Sequence, residues 1–160
     1  MIFVTTGTQE PFDRLIEAVD ELAGKLPGVT FNVQAFTSEY KATNINVQNF
    51  ITPVEFDFNM RHAKLIISHA GMGTIISALV NSKPIIVMPR LLKYHEHRNE
   101  HQLATAKKLD DLGYILVAYN EQDLVDKVLE IWPDDLKCLH NVGNVASQKL
   151  LNSLNNFINQ

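Results

Sequence analysis

The sequence predicts an α/β fold in which a Rossmann-like parallel sheet carries helices on both faces. Short apolar runs alternate along the chain with longer segments whose apolar residues recur at helical spacing, a pattern typical of βαβ units. Most of the runs are continuous apolar stretches instead of alternating with polar residues, as parallel strands buried on both faces are. With 160 residues and no linker or internal repeat, the chain predicts a single domain spanning residues 1–160.

The first half of the chain carries three predicted strands and two predicted helices. The strands are at residues 2–5, 29–36 and 45–47. Pro11 begins a helix that continues to about Leu26, because Pro is favoured in a first turn and the following apolar residues have helical spacing. Residues 53–62 mix helical and alternating features, and a short helix is the preferred interpretation.

The second half continues the same alternation. Strands are predicted at residues 64–68, 85–88 and 114–119, and helices at residues 75–80, 99–109 and 122–132. A long final helix is predicted over about residues 136–158. Its apolar face would either contact a partner or pack on the chain's own sheet, and the sequence leaves both open.

Composition excludes several classes of protein. The net charge of −4 argues against general binding to nucleic acid or to an anionic membrane. Cys138 is the single cysteine, so we expect no intramolecular disulfide, no thiolate metal site and a reducing, cytoplasmic setting. No signal peptide is evident, and no apolar run approaches the ~20 residues of a membrane span. A chain that works at a membrane would be held there by something else.

The most informative segment is residues 68–74, a small-residue turn between a predicted strand and a predicted helix. Gly71 and Gly73 permit a sharp turn and the close approach of a ligand. The unpaired N–H groups and the positive dipole end of the following helix favour an anion such as a diphosphate. His69 lies at the end of the strand. Its side chain either contacts that ligand or has a capping or packing role, and the sequence favours neither interpretation.

Two other segments follow predicted strands, and they therefore reach the same edge of the sheet. Residues 5–8 form a hydroxyl-rich turn around Gly7 and Thr8 that suits a phosphate, although a plain βα turn is the simpler interpretation. Residues 89–102 are rich in basic, acidic and amide side chains. They suit the wall of a sugar and ribose site, with a solvated polar face as the alternative.

Other chemistries are poorly supported. The histidines at 95, 97 and 101 do not follow the two-His-plus-Glu spacing of zinc proteases, so a metal site is disfavoured. The turn at Gly7 lacks the lysine of a P-loop. Ser68 is not set in the Gly-x-Ser-x-Gly pattern of a serine hydrolase, and the acidic pairs near residues 110 and 134 fall where carboxylates usually face water.

Taken together, these segments resemble the C-terminal, donor-binding half of GT-B glycosyltransferases related to MurG. The matching blocks lie at residues 3–8, 11–15, 67–74, 84–90, 96–97 and 99–102. Their order and spacing over about residues 1–120 are more specific than any one block. Within this group the chain is most similar to small single-domain subunits of two-component transferases. These include bacterial exopolysaccharide subunits of the PssE/EpsF kind and the cytosolic catalytic subunit of the eukaryotic dolichol-linked GlcNAc transferase.

The resemblance implies a subunit of a UDP-sugar-dependent hexosyltransferase that is inverting, metal-independent and without a cofactor. It implies a membrane-associated partner that binds a lipid-linked acceptor and supplies the general base, and recruitment of this cytoplasmic chain to the cytoplasmic membrane face. A nucleotide-sugar-binding or regulatory module without catalysis is the alternative, and a related epimerase is a weaker one. Self-association into a homo-oligomer is left open.

The resemblance also implies roles for individual residues. The diphosphate would be held by Gly7, Thr8, Ala70, Gly71, Met72, Gly73 and Thr74. The ribose and sugar would meet Glu96, His97, Asn99, Glu100, His101 and Gln102. His69 and Arg90 would be catalytic and add positive charge near the departing UDP. The family's ribose-binding acid is matched here by Ser77, so that either Glu100 or Gln102 holds the ribose or donor binding is weakened.

Overall fold

A computed structural model describes residues 1–143 and Asn152 and contains a six-stranded, fully parallel sheet. The strands are β1 (Ile2–Thr5), β2 (Phe31–Gln34), β3 (Val47–Gln48), β4 (Leu65–His69), β5 (Ile85–Met88) and β6 (Leu116–Val117). Their spatial order is β3-β2-β1-β4-β5-β6. This is the doubly wound Rossmann order, so the predicted fold class is confirmed.

In the part of the chain that the structure describes, four α-helices connect these strands and a fifth follows β6. They are α1 (Asp13–Lys25), α2 (Pro53–His62), α3 (Met72–Val80), α4 (His101–Asp111) and α5 (Glu121–Ile131). A single 3-10 turn, Leu92–Tyr94, follows β5. The ambiguous segment is helical because Thr52 and Glu55 form a reciprocal capping box at the start of α2 and Pro53 occupies its first turn.

The core lies on both faces of the sheet, as the apolar strands require. One cluster joins buried side chains of α1 and α5, such as Leu22 and Val128, to Ile2 and Ile67 of the strands. The other places residues of α2, α3 and α4 against alternate strand positions such as Phe3. Because β1 and β4 are neighbours at the point where the strand order reverses, the turns that follow them open into one crevice.

Several boundaries differ from those predicted. Helix α1 begins at Asp13 rather than at Pro11, with Phe12 as its N-cap residue. Helix α4 begins at His101, so Asn99 precedes it. Strands β2, β3 and β6 are shorter than the apolar runs that predicted them, because only part of each run is hydrogen-bonded to a neighbouring strand.

The predicted final helix does not begin at residue 136. Residues 136–143 are irregular, and Leu136, Cys138 and Val142 pack against the chain's own core. The rest of that prediction, residues 144–158, lies outside the described residues except for Asn152. Within residues 1–143, no helix is both long enough and apolar enough to cross a bilayer.

Candidate functional site

A polar cavity of about 380 Å³ opens at the carboxyl ends of β1, β4 and β5. Thr5 pairs with Ser68 and His69 with Met88 across these parallel strands, so the segments after all three strands start side by side. The cavity is lined by Thr6, Gly7, Thr8, Gln9, Glu10, His69, Gly71, Gly73, Thr74, Arg90, His97 and Gln102. The predicted convergence of the three segments is therefore present.

The first turn of α3 presents unpaired N–H groups at this cavity. Gly71 is the N-cap residue, and no side chain caps the helix. The first N–H to find a backbone partner is that of Ile75, which donates to the Gly71 carbonyl. The N–H groups of Gly73 and Thr74 have no acceptor among the described residues. Together with the positive end of the helix dipole, they suit an anionic group.

The turn after β1 is held open in a similar way. Gly7 has a φ of +79°, a left-handed conformation that glycine adopts without strain. Its N–H donates to Thr5 Oγ1 at 3.2 Å, and its carbonyl accepts from Gln34 Nε2 at 3.0 Å. The N–H groups of Thr8 and Gln9 have no acceptor within the described part of the chain. They are therefore available to a ligand.

The site role of Gln34 could not be read from the sequence. Its carbonyl accepts the Thr6 N–H, its Oε1 accepts the Thr5 hydroxyl at 2.6 Å, and its amide reaches both Gly7 and Asn49. Buried at the end of β2, it ties the phosphate-type turn to the next strand. The signal available beforehand was a polar residue at the carboxyl end of a predicted strand.

His69 lies between the two glycine turns. Its Nδ1 is 3.1 Å from Arg90 Nη1 and 3.3 Å from Gln102 Nε2. Burial and the adjacent Arg90 charge lower the pKa of His69 to about 4, so the imidazole is neutral at neutral pH. The structure thus places His69 in the cavity as predicted, but as a neutral group and not as a source of positive charge.

Arg90 is buried beneath the cavity, with 3% of its surface exposed. Its Nη2 donates to the Thr6 carbonyl at 2.9 Å and to the Glu10 carbonyl at 2.5 Å, and its guanidinium stacks over the Phe12 ring at 5.0 Å. Burial lowers the pKa of Arg90 to about 10, so it keeps its charge. Most of its hydrogen bonds support the turn, and its charge reaches the cavity through space.

Glu96 does not face the cavity, contrary to the predicted sugar contact. It forms a two-point ion pair with Arg14, with 2.8 Å from Nε to Oε1 and 2.9 Å from Nη2 to Oε2. Its Oε2 also accepts the Leu91 N–H. Both side chains are 10% exposed, so Glu96 is committed to holding the segment after β5 against α1.

Other predicted contacts also lie outside the cavity lining. Ala70 is buried in the core, while Met72 is half-exposed. Asn99 Oδ1 accepts the His101 N–H at the start of α4, and Glu100 accepts the Leu92 N–H. His101 is exposed. The predicted contacts that lie outside the cavity lining are therefore Ala70, Met72, Asn99, Glu100 and His101.

His97 and Gln102 remain from the predicted ribose and sugar set. Both line the cavity. The Gln102 amide is already used by His69 and by the backbone N–H of Arg90. His97 is therefore the member of the set that keeps ring positions for a ligand, since only its Nδ1 accepts a bond, a long one of 3.4 Å from Asn99.

A second, mostly apolar cavity of about 350 Å³ adjoins the first. It shares Gly7, Thr8 and Thr74 with the polar cavity. Its remaining lining residues are Thr5, Gln34, Phe50, Ile51, Pro53 and Phe56. This cavity was not predicted from the sequence, where the signal for it was the apolar pair at residues 50–51 just before α2. Among the described residues, no three His, Cys, Asp or Glu side chains form a group that could hold a metal ion.

The family model of the glycosyltransferase family 28 C-terminal domain matches residues 1–156. The chain belongs to this family. It is 29% identical over 131 residues to the UDP-N-acetylglucosamine transferase subunit ALG13 of Yarrowia lipolytica, covering 74% of this chain and 64% of that protein. It therefore spans less than two thirds of this relative.

Two further comparisons agree with the family. A UDP-N-acetylglucosamine--N-acetylmuramyl-(pentapeptide) pyrophosphoryl-undecaprenol N-acetylglucosamine transferase of Phocaeicola vulgatus is 32% identical over 113 residues, which is 69% of this chain and 29% of that protein. The NMR solution structure of ALG13 superposes with a TM-score of 0.58 at 21% identity, covering 96% and 93% of the two chains. That likeness concerns the fold alone. The predicted resemblance to MurG-related GT-B transferases is confirmed.

Proposed function

We propose that this family 28 domain is the donor-binding subunit of a glycosyltransferase. It binds a UDP-sugar and, with a membrane-associated acceptor-binding partner, transfers the sugar to a lipid-linked acceptor. The observation that carries the proposal is the polar cavity at which unpaired N–H groups of two turns, after β1 and at the start of α3, lie beside His69. Such a cluster of donors matches the charge of a diphosphate.

The two adjoining cavities would hold different parts of the donor. The polar cavity would take the diphosphate and the sugar, and the apolar one, with Phe50 and Phe56 in its wall, would take the uracil ring. Their shared residues, Gly7, Thr8 and Thr74, would then lie where ribose joins phosphate. An apolar wall with a few directional polar groups is the usual form of such sites.

The reaction would place its developing charge against this cluster of donors. The acceptor hydroxyl oxygen forms a bond to the anomeric carbon on the face opposite UDP, while the bond from that carbon to the β-phosphate oxygen breaks, and UDP leaves with the electron pair. N–H groups fixed beforehand stabilise this charge, typically by about 3 kcal/mol each. We propose that they and the Arg90 charge do so without a metal, with inversion, and that the partner's general base takes the hydroxyl proton.

The relatives guide the choice of donor and of setting. Two of them have UDP-N-acetylglucosamine in their names, and one is called a transferase subunit. UDP-GlcNAc is therefore the first donor to test. We propose that the chain works in the cytoplasm and that its partner recruits it to the cytoplasmic membrane face.

Thermal unfolding of the purified chain tests donor binding. UDP, UDP-GlcNAc, UDP-glucose, UDP-galactose and UDP-glucuronate should each be compared with the buffer alone, and at least one should raise the Tm. His69→Ala should remove the rise. His62→Ala is the matched control, because His62 is an exposed histidine at the end of α2 and outside both cavities. A Tm that no uridine nucleotide changes would contradict the proposal.

Transfer is tested after co-expression with a membrane partner. Radiolabelled sugar should pass from the donor to lipid extract only when both chains are present. Binding without transfer in every pairing would instead indicate a nucleotide-sugar-binding or regulatory module.

A further inference from the structure

The hydrogen bonds around His69 fix the position of its proton. Arg90 Nη1 lies 3.1 Å from His69 Nδ1, and a guanidinium N–H can donate but never accept. Nδ1 must therefore be the acceptor and carry no hydrogen. In a neutral imidazole the proton is then on Nε2.

Gln102 is fixed in the same sense. Its Oε1 accepts the backbone N–H of Arg90 at 3.3 Å, and because a backbone N–H only donates, the amide oxygen must be on that side. The amide nitrogen consequently faces His69 Nδ1, at 3.3 Å. Two donors therefore converge on Nδ1, one from Arg90 in the segment after β5 and one from Gln102 in the first turn of α4.

The opposite edge of the ring faces the glycine turns. A β-carbon placed on Gly7 would lie 2.9 Å from His69 Nε2, its nearest neighbour, whereas one placed on Gly71 would come closest to Cε1, with Nε2 at 2.7 Å and Nδ1 at 2.9 Å. Both glycines line the polar cavity. The Nε2–H group therefore faces the turn at Gly7, and the adjacent Cε1 faces Gly71 at the start of α3.

We propose that Arg90 and Gln102 are positioning residues that hold His69 as its neutral Nε2–H tautomer, so that the ring presents a fixed hydrogen-bond donor to the anion in the cavity. The nature of that anion rests on the proposed function, whereas the tautomer does not. Adding a second proton would place an N–H on Nδ1 against two other donors. Burial and the Arg90 charge lower the pKa of His69, in agreement with the position of Arg90 beside Nδ1.

The neighbouring titratable groups act either on the ring or on Arg90. The Arg90 charge and His97 both oppose protonation of His69. Glu10 and Glu96 act on Arg90, whose charge they favour. A hydrogen-bond donor that does not titrate between about pH 5 and pH 8 would keep the affinity for the ligand constant over that range.

Arg90 has a second positioning role in the same arrangement. Its Nη2 holds the Thr6 and Glu10 carbonyls, and its Nε lies 3.4 Å from the Pro11 carbonyl. With those carbonyls turned toward the guanidinium, the Thr8 and Gln9 N–H groups between them are left for the cavity. One buried side chain therefore orients both the ring and the turn.

Nitrogen-15 NMR of the ligand-free chain with labelled histidine tests the tautomer directly. The ring nitrogens of His69 should show a protonated Nε2 and an unprotonated Nδ1, unchanged from about pH 5 to pH 8. A protonated Nδ1, a mixture of tautomers, or titration near 6.5 would overturn the proposal. Since no donor is added, this result is independent of whether a UDP-sugar binds.

Gln102→Glu provides the functional test, because a carboxylate accepts where the amide donates. Because Arg90 Nη1 still faces Nδ1, the proton should move to Nδ1 in part of the population, and in those molecules Nε2 is an acceptor facing the anion. UDP-GlcNAc binding at pH 8 should weaken about tenfold and recover as the pH falls and imidazolium forms. The wild type should show no such profile, and Gln48→Glu, the same change at an exposed position on β3, controls for added charge.

Gln102→Met separates the donor from the fold. It keeps the side-chain length but removes the amide, so NMR should show partial loss of the Nε2–H preference while Arg90 remains. An unaltered ring spectrum in both Gln102 variants, each folded by NMR, would contradict the role of Gln102. If neither variant folds, the wild-type ring spectrum alone decides the tautomer.

Discussion

The ring of His69 occupies the space that a side chain on Gly71 would need. A β-carbon there would lie 2.7 Å from His69 Nε2, closer than real β-carbons approach other atoms, although the backbone of Gly71 (φ −82°) is one that any residue adopts. Gly71 is thus required by the packing of His69 and not by its backbone conformation. Gly73 differs, because a β-carbon there meets no atom of the described residues within 4 Å.

Gly71→Ala should destabilise the chain and disturb His69. Overpacking of this kind typically costs about 1 to 3 kcal/mol of the free energy of unfolding, which urea unfolding measures. UDP binding should fall as well, because the displaced ring no longer presents Nε2 between the turns. Unchanged stability and unchanged binding would show that the ring and the turn adjust without loss.

Gly73→Ala should have the opposite effect on stability and the same effect on binding. Alanine in the first turn of α3 should stabilise the free chain by up to about 1 kcal/mol. The added methyl group points into open space beside the cavity, so it should weaken UDP binding if the ligand approaches this backbone. Urea unfolding would check the gain in stability, and a calorimetric titration would check the loss of UDP affinity. Gly113→Ala is not a suitable control, because Gly113 has a φ of +67°.

The sequence predicted the fold and the three segments that form the cavity because both follow from local patterns: apolar strand length, helical spacing and small residues after strands. It did not predict the side-chain pairs that connect distant segments. Arg14 and Glu96 are 82 positions apart, and nothing in the spacing near Glu96 indicates that its carboxylate is taken by α1.

The start of α4 was a similar difficulty. The apolar spacing that indicates a helix begins only at Leu103 and does not mark the first turn, and Asn99 accepts the His101 N–H from outside the helix. A displacement of two residues changes which polar groups can face the cavity. The roles of Gln34 and Phe50 depended on the path of the chain between β2 and α2, which local patterns leave open.

Acid should destabilise the chain through His69. The unfolded chain binds a proton near 6.5, whereas the folded chain binds it only near a pKa of about 4, because of burial and Arg90. Stability from this group is therefore present above about pH 6.5 and lost as the pH falls toward 4, by roughly 3 kcal/mol. Urea midpoints should show a smaller loss over this window in His69→Gln than in the wild type or in His62→Gln. An equal loss in all three would contradict the assignment.

Asp20 should govern a lower pH window. Burial raises its pKa, but hydrogen bonds from Thr43, Asn44 and Tyr40 outweigh that effect and leave the pKa below the ordinary 3.8. Its contribution is present above about pH 3.8 and is lost below it. Asp20→Asn at neutral pH should cost about 3 kcal/mol, since an amide would face N–H donors.

Asp57→Asn is the matched control for Asp20. Asp57 belongs to an exposed pair with Arg61 on α2, and such pairs contribute well under 1 kcal/mol. Urea unfolding at neutral pH should separate the two variants clearly, and the difference should shrink as the pH falls below 3.8. Equal stabilities at neutral pH would show that the loop of residues 40–45 does not depend on the Asp20 carboxylate.

Phe50→Ser should weaken the binding of UDP without weakening the binding of inorganic pyrophosphate. Phe50 is 69% exposed, so its loss should hardly alter stability, yet it lines the apolar cavity beside the diphosphate site. Stacking of a base on an aromatic ring is typically worth about 1 to 3 kcal/mol, so UDP affinity should fall between about fivefold and a hundredfold. Phe58→Ser is the matched control. Phe58 is 57% exposed on α2, the helix that follows Phe50, and it lies outside both cavities. If Phe50→Ser weakened both ligands equally, the effect would come from the turn at Gly7 and not from the base, and the apolar cavity would lose its assignment.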